Sequence, residues 1–159
     1  MATATCDLCD AHPDEVRVLD LPLRDYGGRR AFAGTVSTVL ALEDNSRVRE
    51  AVAEPGQGRV LVVDGGGATR RAMLGDQLAA LAVTNGWAGV LVHGAIRDSE
   101  AIGGMDLGVK ALGTVPLKTE KRGQGMRDVP VRFGGVTLRP GDWLAADADG
   151  VIVADRALA

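Results

Sequence analysis

The sequence predicts an α/β fold: one domain with a central βαβ unit and antiparallel β flanks. Three observations carry this. Two nearly continuous apolar runs, 60–63 and 88–92, bracket a stretch of helical periodicity over 77–85, and unbroken apolar strands suit a parallel sheet covered on both faces. Turn chemistry at Gly134-Gly135, Pro140-Gly141-Asp142 and Asp149-Gly150 divides the last third into short strands. With 159 residues, 46% of them hydrophobic, the chain is large enough for one real core over 1–159.

The elements follow in order. Residues 5–11 read as a short helix ended near His12-Pro13, and 14–23 have a strand-like alternation. Residues 26–30 form a turn, and 33–42 the next strand. Asn45 or Ser46 can cap a helix running to about Ala53, which 54–58 then break. In the central unit, Leu78, Leu81, Ala82 and Asn85 mark one helix stripe, and Asn85-Gly86 is its stop. Residues 105–112 are rich in Gly and apolar side chains, and 118–127 form a polar, basic loop. Strands are expected over 129–133, 136–138, 143–145 and 151–153.

Composition excludes several functions. The net charge is −3 and the pI about 5.4, without the basic stripe that nucleic-acid binding favours. No apolar run approaches the roughly 20 residues that span a bilayer. Residues 1–5 lack the basic and apolar regions of a secretory signal, so the expected address is cytoplasmic. Cys6 and Cys9 have the C-x-x-C spacing of a redox pair or half a zinc site. A zinc site needs further ligands, and His12 and His93 are the only histidines, so the pair reads as a short helix with two buried thiols.

The chemistry gathers between Val60 and Asp98. Gly65-Gly66-Gly67 follows a strand, but a dinucleotide loop needs G-x-G-x-x-G, and here Arg70 holds the sixth position. The glycines read as a tight turn that leaves room for a ligand. Gly75-Asp76 opens a helix, where free N–H groups and the dipole favour an anion. Alone, Asp76 would be an N-cap, Arg97 a surface cation and Asp98 a turn residue. Together they supply amides, a cation and two carboxylates, as an enzyme site for an anionic substrate and a divalent metal requires. Simple βαβ geometry does not bring the start of the helix to the end of the next strand; that needs the helix to lie back along the sheet, or a symmetric neighbour.

Asp76, then 20 residues, then Arg97-Asp98 resembles the signature of the RraA-like family, which includes metal-dependent 4-hydroxy-4-methyl-2-oxoglutarate aldolases and regulators of ribonuclease E activity. Further matches are Leu8-Cys9-Asp10, Phe32-Ala33-Gly34, Leu42-Glu43-Asp44-Asn45, the segments 62–67 and 94–98, Phe133-Gly134-Gly135-Val136 and Pro140-Gly141-Asp142. The resemblance implies a swivelling β/β/α domain, a homotrimer and sites near subunit boundaries. It also implies that the amides around Gly75, Asp76, Gln77 and Leu78 hold the substrate together with Arg97, and that Asp98 ligates the metal. Some ribonuclease regulators of the family lack the complete Asp/Arg-Asp set, whereas this chain has it. In longer aldolases a C-terminal glutamate of the neighbouring subunit helps hold the metal's water shell; this chain stops at Ala159, so that contribution is expected to be missing.

The residue types suit retro-aldol cleavage of a 4-hydroxy-2-oxo acid. Mg2+ or Mn2+ would act as a Lewis acid at the 2-oxo group, and Arg97 would stabilise the developing enolate. Asp76 would orient a water of the metal's shell that takes the 4-hydroxyl proton. The same electron sink serves oxaloacetate decarboxylation. Among rivals, Lys110 is the better Schiff-base candidate and Lys118 reads as solvated. His93 reads as structural and Asp149-Gly150 as a hairpin turn rather than a calcium loop. The expected function is thus a metal-dependent lyase. The alternative is a non-catalytic protein that binds and inhibits ribonuclease E; a methyltransferase, a name also attached to this family, has no cofactor loop to support it.

Overall fold

In the computed structural model, which describes residues 3–159, the parallel strands stand at the centre of a ten-stranded mixed sheet. Met1 and Ala2, the start of the segment read for a secretory signal, lie outside the described residues. Helix α1 (Thr5–Ala11) matches the expected bounds. The alternation over 14–23 gives only a two-residue edge strand, β1 (Arg17–Val18). The leucines behind that pattern, Leu19, Leu21 and Leu23, pack against a core instead. Strand β2 (Arg24–Asp25) lies at the opposite edge. Then come β3 (Phe32–Leu40), α2 (Ser46–Val52) and β4 (Val60–Asp64).

The sequence reading missed a three-residue strand, β5 (Ala72–Leu74), which precedes α3 (Asp76–Thr84) and β6 (Gly89–Ile96). It also missed the short helix α4 (Ser99–Gly103) and the full strand β7 (Gly108–Thr114). After β8 (Met126–Arg127), the strands β9 (Val131–Phe133) and β10 (Val136–Leu138) form a hairpin turned at Gly134-Gly135. A second hairpin, β11 (Trp143–Asp147) and β12 (Gly150–Ala154), turns at Ala148-Asp149.

The order across the sheet is β1-β12-β11-β3-β4-β6-β7-β2. Strands β3, β4, β6 and β7 are mutually parallel, and antiparallel pairs extend both edges. Val60 to Val63 are wholly buried, as a strand covered on both faces should be. On one face α2 and α3 lay Val48, Val52, Leu78 and Ala82 over Val63, Val90 and Val92. On the other, the β9–β10 hairpin lays Phe133 and Leu138 over Val62 and Leu91. Leu8 of α1 covers a smaller cluster with Trp143 and Ile152. Among the described residues, no helix is long and apolar enough to cross a membrane.

The Phe32 ring packs against Gly89 and Gly108, where neither strand has a side chain to displace it. A Cβ at Gly108 would fall inside the van der Waals envelope of that ring. Gly108→Ala should therefore destabilise the fold by about 1–3 kcal/mol through overpacking, read as a lower urea midpoint at unchanged slope. Phe32→Leu in the same chain should recover part of the loss.

Candidate active site

The strand absent from the sequence reading assembles the site. β5 runs parallel to β6 with Ala72 opposite Ala95 and Leu74 opposite Ile96, along the edge that β4 leaves after Asp64. The Arg97 N–H donates to the Leu74 carbonyl at 2.9 Å. The start of α3 and the end of β6 are therefore hydrogen-bonded neighbours within this one chain, with no symmetric copy needed.

Gly75 is the N-cap, and Asp76 is the first helical residue with no side-chain capping bond. The capping role that Asp76 would have alone is thus not the one it plays. Its backbone N–H donates to Asp98 Oδ2 at 3.0 Å. The first backward helical bond comes from Ala79 to Gly75, so the amides of Gln77 and Leu78 remain for a ligand. A Cβ at Gly75 would sit 3.0 Å from Asp98 Oδ2 and 3.3 Å from Arg97 Nε. Glycine is required here by crowding, since its φ of −126° is open to any residue.

A cavity of about 280 Å³ opens beside the helix start. All five residues expected to hold substrate line it: Gly75, Asp76, Gln77, Leu78 and Arg97. The sequence reading missed the rest of the wall, Asn45, Arg49, Ala72, Lys118 and Lys121. The basic run over 118–122 was its only visible signal, and the basic loop is therefore partly a wall rather than only a solvated face. Four cations against one carboxylate make this a place for an anion carrying more than one charge.

Asp98 does not line that cavity but abuts its wall, against Gly75 and Asp76. Its backbone is left-handed, with φ 56° and ψ 40°. Its carboxylate faces two shallower hollows, one with Ser99 and Glu100, the other with Arg97 and Thr114 to Pro116. Arg97 borders both sides, its Nε 3.8 Å from Asp98 Oδ2. Among the described residues, no three His, Cys, Asp or Glu side chains cluster as a ready-made metal cage. A hard ion that keeps several waters and binds through one or two carboxylates plus substrate oxygens needs no such cage. The Asp98 carboxylate, 37% exposed and bonded through Oδ2 only, fits that kind of donor set.

The basic loop is fastened by a buried carboxylate. Asp44 Oδ1 accepts the Ser46 N–H at 2.9 Å and the Ser46 hydroxyl at 2.6 Å. Oδ2 accepts the N–H groups of Arg122 at 2.8 Å and Gln124 at 3.1 Å. Burial opposes ionisation of Asp44, but the Ser46 hydroxyl and the amides of Ser46, Gln124 and Arg122 outweigh it and hold the carboxyl down at about 2.

Other candidates fall elsewhere. His93 projects from the opposite face of β6, bonds Asp64 Oδ1 through Nδ1 at 2.9 Å and stacks on Phe133. The glycine turn wraps this residue: Gly65 and Gly67 both donate to the His93 carbonyl. A Cβ on Gly67 would meet the His93 ring at 3.2 Å, so the room expected for a ligand is taken by the imidazole. Lys110 also lies on that face, 2% exposed, with Nζ 3.1 Å from Asp25 Oδ1. It does not line the cavity that Arg97 borders, so it meets no substrate there as an amine nucleophile. The expectation of two buried thiols is corrected. Cys6 is exposed and Cys9 half-buried, because α1 turns Thr5 and Leu8 inward. The Cys6 thiol donates to Asp149 at 3.3 Å, which pushes it up from its ordinary range.

Sequence and structure comparisons agree on one relationship. The family model described as RraA-like, Aldolase/RraA, matches residues 5–153. A protein of Alkalilimnicola ehrlichii is 58% identical over 99% of this chain and 98% of its own length; it carries the provisional name 4-hydroxy-4-methyl-2-oxoglutarate aldolase. A Geobacillus kaustophilus structure described as an S-adenosylmethionine:2-dimethylmenaquinone methyltransferase superposes with a TM-score of 0.97, at 52% identity over 98% of this chain and 97% of that one. The RNA-processing inhibitor RraA of Thermus thermophilis superposes at 0.96, with 43% identity over 100% of this chain and 96% of that one. Three different activities are thus named on one backbone.

Asp44 has a testable acid signature. Its folded-state pKa of about 2 lies below the ordinary 3.8, so its contribution to stability is present above the ordinary value and is lost as pH falls through the folded one. The difference in unfolding free energy between wild type and Asp44→Asn should be constant from pH 7 to about 5, then shrink towards pH 2. Urea titrations of both proteins across that range check it; a gap that is as wide at pH 2 as at pH 5 contradicts the assignment.

Proposed function

Because the chain belongs to the RraA-like family, we propose that it is a divalent-metal-dependent lyase cleaving 4-hydroxy-4-methyl-2-oxoglutarate, or a related 4-hydroxy-2-oxo acid, to pyruvate. One observation carries this reading. The helix-start amides and Arg97 share a cavity, and the Asp76 N–H ties them to Asp98 at 3.0 Å. In this reading the substrate contacts and the carboxylate that would hold the metal stand in fixed relation.

The roles follow from the chemistry of each group. The amides of Gln77 and Leu78 take the substrate's 1-carboxylate at the positive end of α3. Arg97 reaches the 2-oxo oxygen and meets the negative charge that builds there as the carbon–carbon bond breaks. Asp98 would hold Mg2+ or Mn2+, which when bound supplies Lewis-acid polarisation of the 2-oxo acid. Asp76, free of capping duty, orients the water that accepts the 4-hydroxyl proton. Loss of carbon dioxide from oxaloacetate places charge on the same oxygen, so oxaloacetate decarboxylation belongs to the reading.

The Thermus neighbour's name, RNA-processing inhibitor, favours a second reading: a non-catalytic partner of ribonuclease E. Pyruvate release measured with and without EDTA separates the two. Chelator-sensitive release supports the lyase; no release, together with tight ribonuclease binding, reverses the order. The reading also includes a closed homotrimer, whose neighbouring subunit would cover the open hollow beside Asp98. Light scattering should give three times the 16.5 kDa chain mass.

Single substitutions should separate the three charged residues. Arg97→Lys keeps the charge but loses the planar fork, and kcat should fall on the order of 100-fold without recovery at high metal concentration. Asp98→Asn should weaken metal binding and recover in part when Mg2+ is raised. Asp76→Asn should lower kcat, whereas a mere helix cap would tolerate Asn. Full activity of Arg97→Lys would sink the mechanism, and full activity of Asp76→Asn would remove Asp76 from it.

A further inference from the structure

Of the four cations lining the cavity, three have rigid supports. Arg49 stands on α2, Arg97 directly follows β6, and Lys118 is bridged to Ala72 of β5. Lys121 has none of these: residues 119–125 belong to no strand or helix. A flexible lysine on an unsupported loop would lose much of its value to disorder.

Arg47 holds the far end of the loop through the Gly123 and Gly125 carbonyls, and the buried support nearest Lys121 is Asp44. Two loop amides, Arg122 and Gln124, converge on Oδ2 at 2.8 and 3.1 Å. The peptide plane that presents the Arg122 N–H begins at the Lys121 carbonyl, so the clamp fixes the Lys121 backbone directly. Ser46, bonded to Oδ1, extends the clamp by accepting the Gly123 N–H at 3.2 Å. Asn45 donates its N–H to Thr119 Oγ1 at 3.3 Å on the other side of Lys121. Asp44 is fully buried and forms no salt bridge among the described residues, so its charge is spent on these donors rather than on a cation.

We propose that Asp44 is a positioning residue that acts through Lys121: by clamping the loop to the start of α2 it holds the ammonium on the cavity wall, and so sets affinity for the substrate carboxylate remote from Arg97. This rests on the reading of the cavity as a 2-oxo acid site. A ligand with a single carboxylate needs only Arg97 and the helix start, so it should not sense the clamp. The effect belongs to binding before and during reaction alike, which raises KM and leaves kcat.

The test combines kinetics with oxaloacetate and calorimetric titration with pyruvate, both with Mg2+, on the full chain well below its melting temperature. Asp44→Asn should raise KM for oxaloacetate about 10-fold with kcat within about 3-fold, and shift the pyruvate Kd less than about 2-fold. Lys121→Ala should do the same, and the double variant should be no worse than either single one. Ser46→Ala should show a smaller rise in KM, and Ser46→Thr should reverse it by restoring the hydroxyl; this pair decides the matter if Asp44→Asn does not fold. Fully additive effects of Asp44→Asn and Lys121→Ala, a fall in kcat without change in KM, or no effect of Ser46→Ala would overturn the proposal. Wild-type protein that binds neither pyruvate nor oxaloacetate would instead overturn the reading of the cavity, and this proposal with it.

Discussion

The pairing of three residues, Ala72–Leu74, with the end of β6 is the constraint on which the site depends. In a parallel sheet the start of a helix and the end of the next strand share the carboxyl edge, but a βαβ unit alone does not bond them to each other. Here β5 intervenes, returns the chain to the sheet and hands it to α3 one residue later. The Leu74 carbonyl then accepts the Arg97 N–H, and the Asp76 N–H finds Asp98. On its other side β5 receives the loop, through the Ala72–Lys118 bridge and the Ala72 N–H to Leu117 carbonyl bond at 2.7 Å. One short strand thus sets the distance between the free helix-start amides, the guanidinium and two of the wall's supports.

Charge is distributed with the same economy. The chain as a whole is acidic, at −3, yet the cavity collects Arg49, Arg97, Lys118 and Lys121 around a single carboxylate. Several acids that could have neutralised them are engaged elsewhere: Asp44 by four donors, Glu54 by Arg127, and Glu43 by Arg70. Asp98 is not part of that lining, and its Oδ2 is taken up by the Asp76 N–H. A positive pocket in a negative protein attracts a small polyanion locally without offering the broad basic face that nucleic acids prefer.

What could be read beforehand was what neighbouring residues determine. The apolar runs of β4 and β6, the helix bounds of α1, the Gly-Gly turn and, one residue out, the Asp-Gly turn each follow from side chains close in sequence. The juxtaposition of Gly75–Asp76 with Arg97–Asp98 came from resemblance; the geometry behind it is non-local. Ala-Met-Leu has no strand signature, and its partner lies more than twenty residues on. The clamp was hidden for the same reason: Asp44 meets its loop donors 78 and 80 residues away. Where local pattern misled, packing had imitated pairing. Leu19, Leu21 and Leu23 alternate because every second one enters the core beneath the sheet, while only Arg17 and Val18 join it.

The left-handed backbone at Asp98 narrows what this position can ever become. With φ at 56°, a side chain branched at Cβ clashes, and even alanine gives up on the order of 1 kcal/mol. Glycine and asparagine are comfortable there but carry no charge. Glutamate carries the charge, yet it lacks asparagine's and aspartate's tolerance of this conformation, and its extra methylene would move the carboxylate away from the Asp76 amide. Backbone shape and ionic chemistry filter the twenty amino acids independently, and aspartate alone passes both. Any single substitution at this position therefore surrenders either the anion or the ease of the turn.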